Sequence, residues 1–287
     1  MKIVHISDLH FPCKLPALSL RGKMVAGYAN YTLRRKNAHP QQITQAMLDF
    51  IRQSNHDILV ISGDLTNVSH ELEFANSRKI LDPVLDQRAF VIPGNHDRYH
   101  KKALQPEDLF LKYFGEFSGE SIANAGYIRV KKIKDMAFVG WDSSKPGSLF
   151  QASGNIAPDV VENTKKYIKK NKIRNYFLVC HHPFWNPEQH RESNNHRLQN
   201  REMIIESLRD LPPEIVFYGH SHHNWISKKT SEMPFWTINS ASSSRVNDKK
   251  HFSGIHVAEF KNGKTGIERY TFSQQGNRFI KASLIEY

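Results

Sequence analysis

Residues 1–11, MKIVHISDLHF, combine an apolar strand with a carboxylate and an imidazole directly after it. The alternation and the β-branched side chains predict a buried strand over residues 2–7. Asp8 and His10 then follow the carboxyl end of that strand, which is where open α/β sheets usually place their chemistry. An Asp-x-His pair alone has low specificity, because an aspartate after a strand more often forms a turn or a helix cap.

Length and composition are typical of a globular protein with a substantial core. The chain has 287 residues, of which 39% are hydrophobic and 24% charged. Two distant cysteines, no membrane-length apolar run and no signal-peptide pattern lead us to expect a cytoplasmic setting. The formal net charge of +12 favours a polyanionic partner, either a phosphorylated substrate, an anionic membrane or nucleic acid. Lysine-rich stretches such as 163–174 are more simply solvated helix faces.

Strands and helices alternate through the first two thirds of the chain. Strands are predicted at residues 2–7, 57–62, 88–92, 136–141, 175–180, 214–218, 234–238, 254–260 and 265–271. Helices are predicted at residues 40–54, 69–82, 106–115, 158–171 and 199–210. This order predicts a single α/β domain, residues 1–287, with layered helices and sheets and a β-rich C-terminal part.

Five of the predicted strands are each followed within three residues by Asp, Asn or His. These positions are Asp8 and His10, Asp64 and Asn67 in GDLTN, Asn95, His96 and Asp97 in GNHD, His181 and His182, and His220, His222 and His223 in GHSHH. Imidazole, carboxylate and amide groups suit divalent Mn, Fe, Co or Zn. Each block alone is explained by a turn or by core histidines, but five in order at strand ends predict a metal site.

The series D-x-H, GDxxN, GNHD, H and GHxH resembles the calcineurin-like metallophosphoesterases over residues 8–222. The resemblance implies a four-layer α-β-β-α sandwich with two divalent cations, Mn being the first choice. The implied ligands of one cation are Asp8, His10, Asp64 and His222, and those of the other are Asp64, Asn95, His181 and His220. Asp64 is expected to bridge the cations, because a carboxylate offers two oxygens.

The same resemblance implies a catalytic role without metal ligation for His96, which would protonate the leaving oxygen or stabilise phosphoryl charge. The implied reaction is hydrolysis of a phosphodiester or pyrophosphate by water that the two cations activate. Some relatives pair the catalytic histidine with an aspartate at the position of Asn67. Because an amide cannot supply that charge, we expect Asp97 or a backbone group to orient His96.

Substrate specificity is expected in the segments inserted between the motif blocks. In residues 11–39, apolar positions at helical spacing lie between basic ends, which suits an anionic membrane surface or, equally, a cap packed on the core. Two further donor-rich segments are residues 184–198 and SASSSRVNDKKH, residues 240–251. Candidate substrate-binding residues are Asn67, Arg34, Arg35, Arg191, Asn194, Asn195 and Arg197.

The stretch GYANYTLRRKNAH, residues 27–39, also resembles a bacterial branch of the family that includes the chlamydial-type UDP-2,3-diacylglucosamine pyrophosphatase of lipid A synthesis. This resemblance implies Mn-dependent hydrolysis of a nucleotide-lipid pyrophosphate, with peripheral contact at the inner face of a membrane. The alternatives are a cyclic-nucleotide phosphodiesterase or a nuclease, which the positive charge also suits. A catalytically inactive scaffold is the alternative of another class, and the intact ligand positions disfavour it.

Overall fold

Two β-sheets form the centre of the protein, whose computed structural model describes residues 1–122, 127–148, 151–249 and 251–287. The strands in chain order are β1 (Lys2–Ile6), β2 (Ile58–Ile61), β3 (Ala89–Val91), β4 (Glu120–Ser121), β5 (Ile128–Ile133), β6 (Met136–Trp141), β7 (Asn175–Cys180), β8 (Ile215–Tyr218), β9 (Trp225–Ser227), β10 (Trp236–Asn239), β11 (Ile255–Lys261), β12 (Lys264–Ser273) and β13 (Arg278–Ala282). The first sheet has the order β13-β12-β11-β1-β2-β3, and the second has the order β4-β5-β6-β7-β8-β10-β9.

The strands that precede the metal-site motifs are parallel within each sheet. The parallel neighbours in the first sheet are β1, β2 and β3. Those in the second sheet are β6, β7, β8 and β10. Because parallel strands end at the same edge, the loops after β1, β2 and β3 meet there, and so do the loops after β7 and β8.

All the helices except the first cover the outer faces of the two sheets. They are α1 (Lys23–Asn30), α2 (Gln41–Gln53), α3 (Glu71–Leu81), α4 (Leu109–Phe114), α5 (Pro158–Lys170) and α6 (Arg201–Ser207). Residues of α2, α3 and α4 share a core with the first sheet, and residues of α5 and α6 share one with the second. A third core joins the inner faces of the sheets, where Ile3 and Phe90 cluster with Phe177. The predicted four-layer α-β-β-α sandwich is confirmed.

Each predicted strand and helix overlaps an element of the structure. Strands β4, β5, β9 and β13 are elements that the sequence pattern did not predict. In β5 the apolar residues Ile128 and Val130 alternate with Arg129 and Lys131, so one face is buried and the other is polar. Such a short alternating run is difficult to distinguish from a polar connection.

The segment 11–39 packs as a cap beside the metal-site loops. Met24 of α1 clusters with Leu15 and Val68, and the Tyr28 hydroxyl donates to Cys13 O at 3.2 Å. A π-helical turn, Tyr31–Arg35, continues α1. The cap also leaves apolar side chains in solvent, Leu18 being 92% exposed and Leu33 85% exposed. None of the described helices is long and apolar enough to cross a membrane.

A buried guanidinium joins the two sheets near the site. Arg98 follows β3, and its Nε donates to Oδ2 of Asp142, which follows β6 in the other sheet, at 2.8 Å. Its Nη1 donates at 2.6 Å to Oδ1 of Asp108, the residue that caps α4 by accepting from Leu111 N. The Arg98 side chain is 2% exposed, so removing it leaves carboxylates in the protein interior without their partner.

We predict that Arg98→Ala lowers the free energy of unfolding by about 3–5 kcal/mol, because breaking a buried ion pair strands an uncompensated charge. Urea denaturation measures this change. Arg88→Ala is the matched control, since Arg88 pairs with Asp86 where the two side chains are 47% and 44% exposed. It should cost only about 0–1 kcal/mol. Similar losses in the two variants would show that Arg98 has no special role.

Candidate metal centre

Four side chains from three loops form the first group of candidate ligands. They are Asp8, His10, Asp64 and His222, whose ligand atoms all lie within 4.8 Å of one another. His222 Nε2 lies 3.2 Å from Asp8 Oδ1 and 3.3 Å from His10 Nε2. His10 Nε2 lies 3.6 Å from Asp64 Oδ2. This is the set that the motif resemblance implies for one cation.

The second group adjoins the first at Asp64. His181 Nε2 lies 3.3 Å from Asp64 Oδ2 and 3.1 Å from Asn95 Oδ1. His220 Nδ1 lies 2.8 Å from the same amide oxygen. The structure thus brings all seven predicted ligands together as two groups. Asp64 directs Oδ2 at both groups, because Oδ1 accepts a hydrogen bond from His96 N at 2.8 Å.

Three histidines of the centre each bind a backbone carbonyl through one ring nitrogen. His10 Nδ1 lies 3.0 Å from Thr66 O, His181 Nδ1 lies 2.7 Å from Ser62 O, and His220 Nε2 lies 2.9 Å from His196 O. A carbonyl oxygen only accepts, so each of these nitrogens carries a ring proton, and the opposite nitrogen presents a lone pair when the imidazole is neutral. Once His181 has lost its second proton, lone pairs of imidazole, carboxylate and amide converge without a proton donor, which is the arrangement that fits a divalent cation.

Charge and burial set the protonation of these groups. Burial lowers the pKa of His10 and of His220 well below the ordinary value. For His181, burial lowers the pKa, but the Asp64 carboxylate outweighs it and raises the pKa to about 10. Burial raises the pKa of Asp64, yet His181, His96 and His10 together hold it well below its ordinary value. A proton on His181 therefore balances Asp64 where a cation would otherwise bind.

The backbone of the ligand loops is left-handed at most of the ligands. The φ angles are 52° at Asp8, 41° at His10, 57° at Asp64, 68° at His220 and 57° at His222. Such angles are uncommon for residues other than glycine. Close approach of the loops also requires Gly94, where a Cβ atom would lie 2.3 Å from Asp64 Oδ1.

The buried carboxylate of Asp97 holds two of these loops together. Asp97 accepts hydrogen bonds from Gly94 N at 2.9 Å and from Leu65 N and Thr66 N at 3.0 Å. Its carboxylate thereby joins the loop after β3 to the loop after β2. Burial, and then the Asp64 charge, raise the pKa of Asp97 to about 7.

The candidate catalytic residue His96 is oriented by the backbone. Its Nδ1 lies 2.6 Å from Asn67 O, which leaves Nε2 for a substrate. The sequence leaves Asp97 and a backbone group as candidates for orienting His96, and in the structure the backbone group does so. The Asn67 side chain instead donates to Phe11 O at 3.2 Å. The Tyr99 ring stacks on His96 with centroids 5.9 Å apart, and Lys23 Nζ lies 3.9 Å above the Tyr99 ring.

A cleft of about 380 Å³ opens beside His96. Its lining includes three predicted substrate-binding residues, Asn67, Arg35 and Asn195, together with the ligand residue Asn95. The other four predicted contacts, Arg34, Arg191, Asn194 and Arg197, lie outside this lining. Arg34 is exposed, because neighbouring residues of a helical turn point in different directions and Arg35 takes the direction of the cleft. The sequence reasoning missed Lys23, Asn30, Tyr99, Lys145 and Gln151, which also line the cleft.

Comparison with known proteins agrees with this geometry. The family model described as Calcineurin-like phosphoesterase matches residues 1–224, and the chain belongs to this family. It is similar to the structure of a dimetal phosphatase from Danio rerio, with 14% identity, a TM-score of 0.59 and 94% of each chain covered. A search of curated proteins found no match.

Two further solved structures share the fold. Purple acid phosphatase PPD1 from yellow lupin (Lupinus luteus) seeds is 10% identical with a TM-score of 0.57, over 98% of this chain and 52% of that chain. The protein TT1561 of Thermus thermophilus is 10% identical with a TM-score of 0.51, over 98% of each chain. The family membership and the donor set together make this chain a metal-dependent phosphoesterase, and the family implies two divalent cations.

We predict that binding of Mn²⁺ to the metal-free protein at pH 8 releases about one proton per chain, because ligands must be deprotonated. The proton comes from His181, whose pKa of about 10 means that metal affinity should rise with pH up to that value. Titration calorimetry in buffers of different ionisation enthalpy measures the release. His181→Ala should keep a cation at the Asp8 group and release almost no proton. Unchanged release in that variant would contradict the assignment.

Proposed function

We propose that the protein hydrolyses the phosphoanhydride bond of a nucleotide-linked lipid, with UDP-2,3-diacylglucosamine as the best candidate and Mn²⁺ as the cation. The observation that carries this proposal is the two-sided cap formed by residues 11–39. One side closes the polar cleft beside His96 through Lys23, Tyr31 and Arg35. The other side exposes Leu18 and Leu33. A substrate with a charged nucleotide and acyl chains needs both kinds of surface.

The polar side of the cap suits the nucleotide diphosphate. Lys23, Arg35 and Lys145 bring cationic groups to the cleft, and these can form charge-assisted hydrogen bonds with phosphate oxygens. Asn30 and Gln151 bring amides, which suit hydroxyl groups of a sugar or the edge of a base. This lining supports a small, highly polar head group next to the metal centre.

Catalysis divides between the cations and the side chains of the cleft. When bound, two divalent cations in a centre of this type lower the pKa of water and neutralise phosphate charge. His96 contributes a ring nitrogen fixed by Asn67 O, 2.6 Å from Nδ1. From this position we expect His96, when doubly protonated, to donate its Nε2 proton to the departing oxygen. The stacked ring of Tyr99 limits rotation of the imidazole.

The exposed side of the cap suits peripheral contact with a membrane. Leu18, Val25 and Leu33 are 92%, 51% and 85% exposed. The same segment carries the exposed basic residues Lys14, Arg21, Arg34 and Lys36. Apolar side chains between basic ones favour the cytoplasmic leaflet of a membrane, whose surface is anionic. A protein placed there would meet a lipid substrate without extracting it into water.

We predict that His96→Ala lowers kcat by about 10²- to 10⁴-fold, which is the usual contribution of general acid–base catalysis. The loss should appear with UDP-2,3-diacylglucosamine and Mn²⁺, and metal content should stay the same, because His96 is not a ligand. His56→Ala is the control, since His56 precedes β2 and lies at the opposite ends of the strands. Mass spectrometry of products formed in ¹⁸O-labelled water identifies the phosphorus attacked. Unchanged turnover in the His96 variant would remove it from the mechanism.

We also predict that Leu18→Glu with Leu33→Glu abolishes binding to liposomes of anionic lipid, because charged side chains do not enter the interface. Turnover of the lipid substrate should fall at least about 10-fold, whereas hydrolysis of bis(p-nitrophenyl) phosphate should change little. Ile280→Glu on β13, at a side chain 41% exposed, controls for an added surface charge. Equal losses on both substrates would assign the leucines a role in folding and contradict membrane contact.

A further inference from the structure

A serine-rich segment, residues 242–244, is hydrogen-bonded to the loop that carries Asp8. Ser242 Oγ donates to Asp8 O at 2.5 Å, and Ser244 Oγ donates to Leu9 O at 2.6 Å. These bonds bring a distant part of the chain to the metal centre. Arg245 follows Ser244 directly in the chain, so its backbone lies next to the loop that carries Asp8 and His10.

The same segment holds the end of the cap. His39 Nδ1 lies 2.8 Å from Ser244 Oγ, and Val246 N donates to Ala38 O at 2.8 Å. The His39 ring also meets the ring of the ligand His10 edge-on, with centroids 5.6 Å apart. The cap and the segment around Arg245 thus converge on one side of the centre.

The guanidinium groups of Arg35 and Arg245 lie where the cap meets residues 242–246, and both have N–H groups that no described residue engages. Arg245 Nε is buried without a hydrogen-bond partner, although Nη2 lies 3.3 Å from Asp248 Oδ2. Arg35 lines the cleft beside Asn95 and His96, and within the described part of the chain no hydrogen bond engages its guanidinium. An arginine has five N–H donors, so both guanidinium groups keep donors that no described residue engages.

The charges of these groups act on one another. Burial lowers the pKa of Arg35, the charges of Asp64 and Asp8 oppose that change, and the charge of Arg245 adds to it. The fold therefore brings two like charges near each other beside the metal centre. Two divalent cations would exceed the two negative charges of Asp8 and Asp64, so the loaded site needs an anionic ligand.

We propose that Arg35 and Arg245 bind a second phosphate, next to the one that is attacked, and thereby select substrates with two adjacent phosphates. A diphosphate diester brings two negative charges to this site, whereas a phosphodiester brings one. Guanidinium groups bind phosphate oxygens in pairs through parallel N–H donors. This inference rests on the proposed function, since it assigns the residues that distinguish a phosphoanhydride from a simple diester.

A pair of matched uridine ligands tests the inference by binding. The methylene-bridged analogue of UDP-glucose has two phosphorus groups, and UMP methyl ester has one. With Mn²⁺ present, calorimetry should show that Arg35→Gln and Arg245→Gln each weaken binding of the diphosphate analogue by about 10- to 100-fold. Binding of the monophosphate ester should weaken by less than about threefold. Arg52→Gln, at a side chain 52% exposed on α2, controls for net charge and should change neither.

The outcomes separate the inference from the proposed function. Equal weakening of both ligands, or no weakening, in the Arg35 and Arg245 variants overturns the second-phosphate site, as does a wild-type protein that binds neither ligand. Hydrolysis of UDP-glucose and of bis(p-nitrophenyl) phosphate is measured alongside, and the variants should lose activity selectively on UDP-glucose. A wild-type protein that shows the expected binding but hydrolyses no phosphoanhydride would contradict the proposed function and leave the binding site supported.

Discussion

The left-handed backbone at five of the seven candidate ligands is the constraint on which the rest of the structure depends. A non-glycine residue in such a conformation costs of order 1–3 kcal/mol, and it persists only where the surroundings hold it. The Asp97 carboxylate and the Ser242 and Ser244 hydroxyls supply that support by binding backbone groups of the ligand loops. The local strain is therefore tied to an interaction network that reaches from the first strand to the last third of the chain.

The packing of the two sheets against each other brings the ligand loops together. Strands β1, β2 and β3 belong to one sheet and β7 and β8 to the other, so the ligand loops meet only because the inner faces of the sheets pack together. Arg98 joins the two sheets through Asp142 close to the loop of Asn95 and His96. Stability of the sandwich and geometry of the centre are consequently linked, and a change at the junction of the sheets is expected to reach the metal ligands.

The meeting of the candidate ligands could be predicted from the sequence, because each follows an apolar strand and parallel strands end at one edge. Contacts between side chains and backbone groups that are far apart in the sequence could not be predicted in this way. The Ser242 hydroxyl reaches the carbonyl of Asp8 across 234 residues, and a hydroxyl in a polar segment carries no local sign of such a partner. The choice between Arg34 and Arg35 also required the structure, because it depends on how the π-helical turn sets the direction of each side chain. The contact that orients His96 could not be predicted either. It is made by the backbone oxygen of Asn67, and any residue type at that position has a backbone oxygen.

The central claim is that the seven side chains hold two divalent cations with Asp64 between them. Anomalous X-ray scattering from crystals grown with Mn²⁺ tests it most directly. The account predicts two anomalous peaks about 3.5–4 Å apart. One peak should be bounded by Asp8, His10 and His222, the other by Asn95, His181 and His220, and Asp64 Oδ2 should lie between them. A single peak, or peaks away from these residues in protein that retains its fold, would contradict the account.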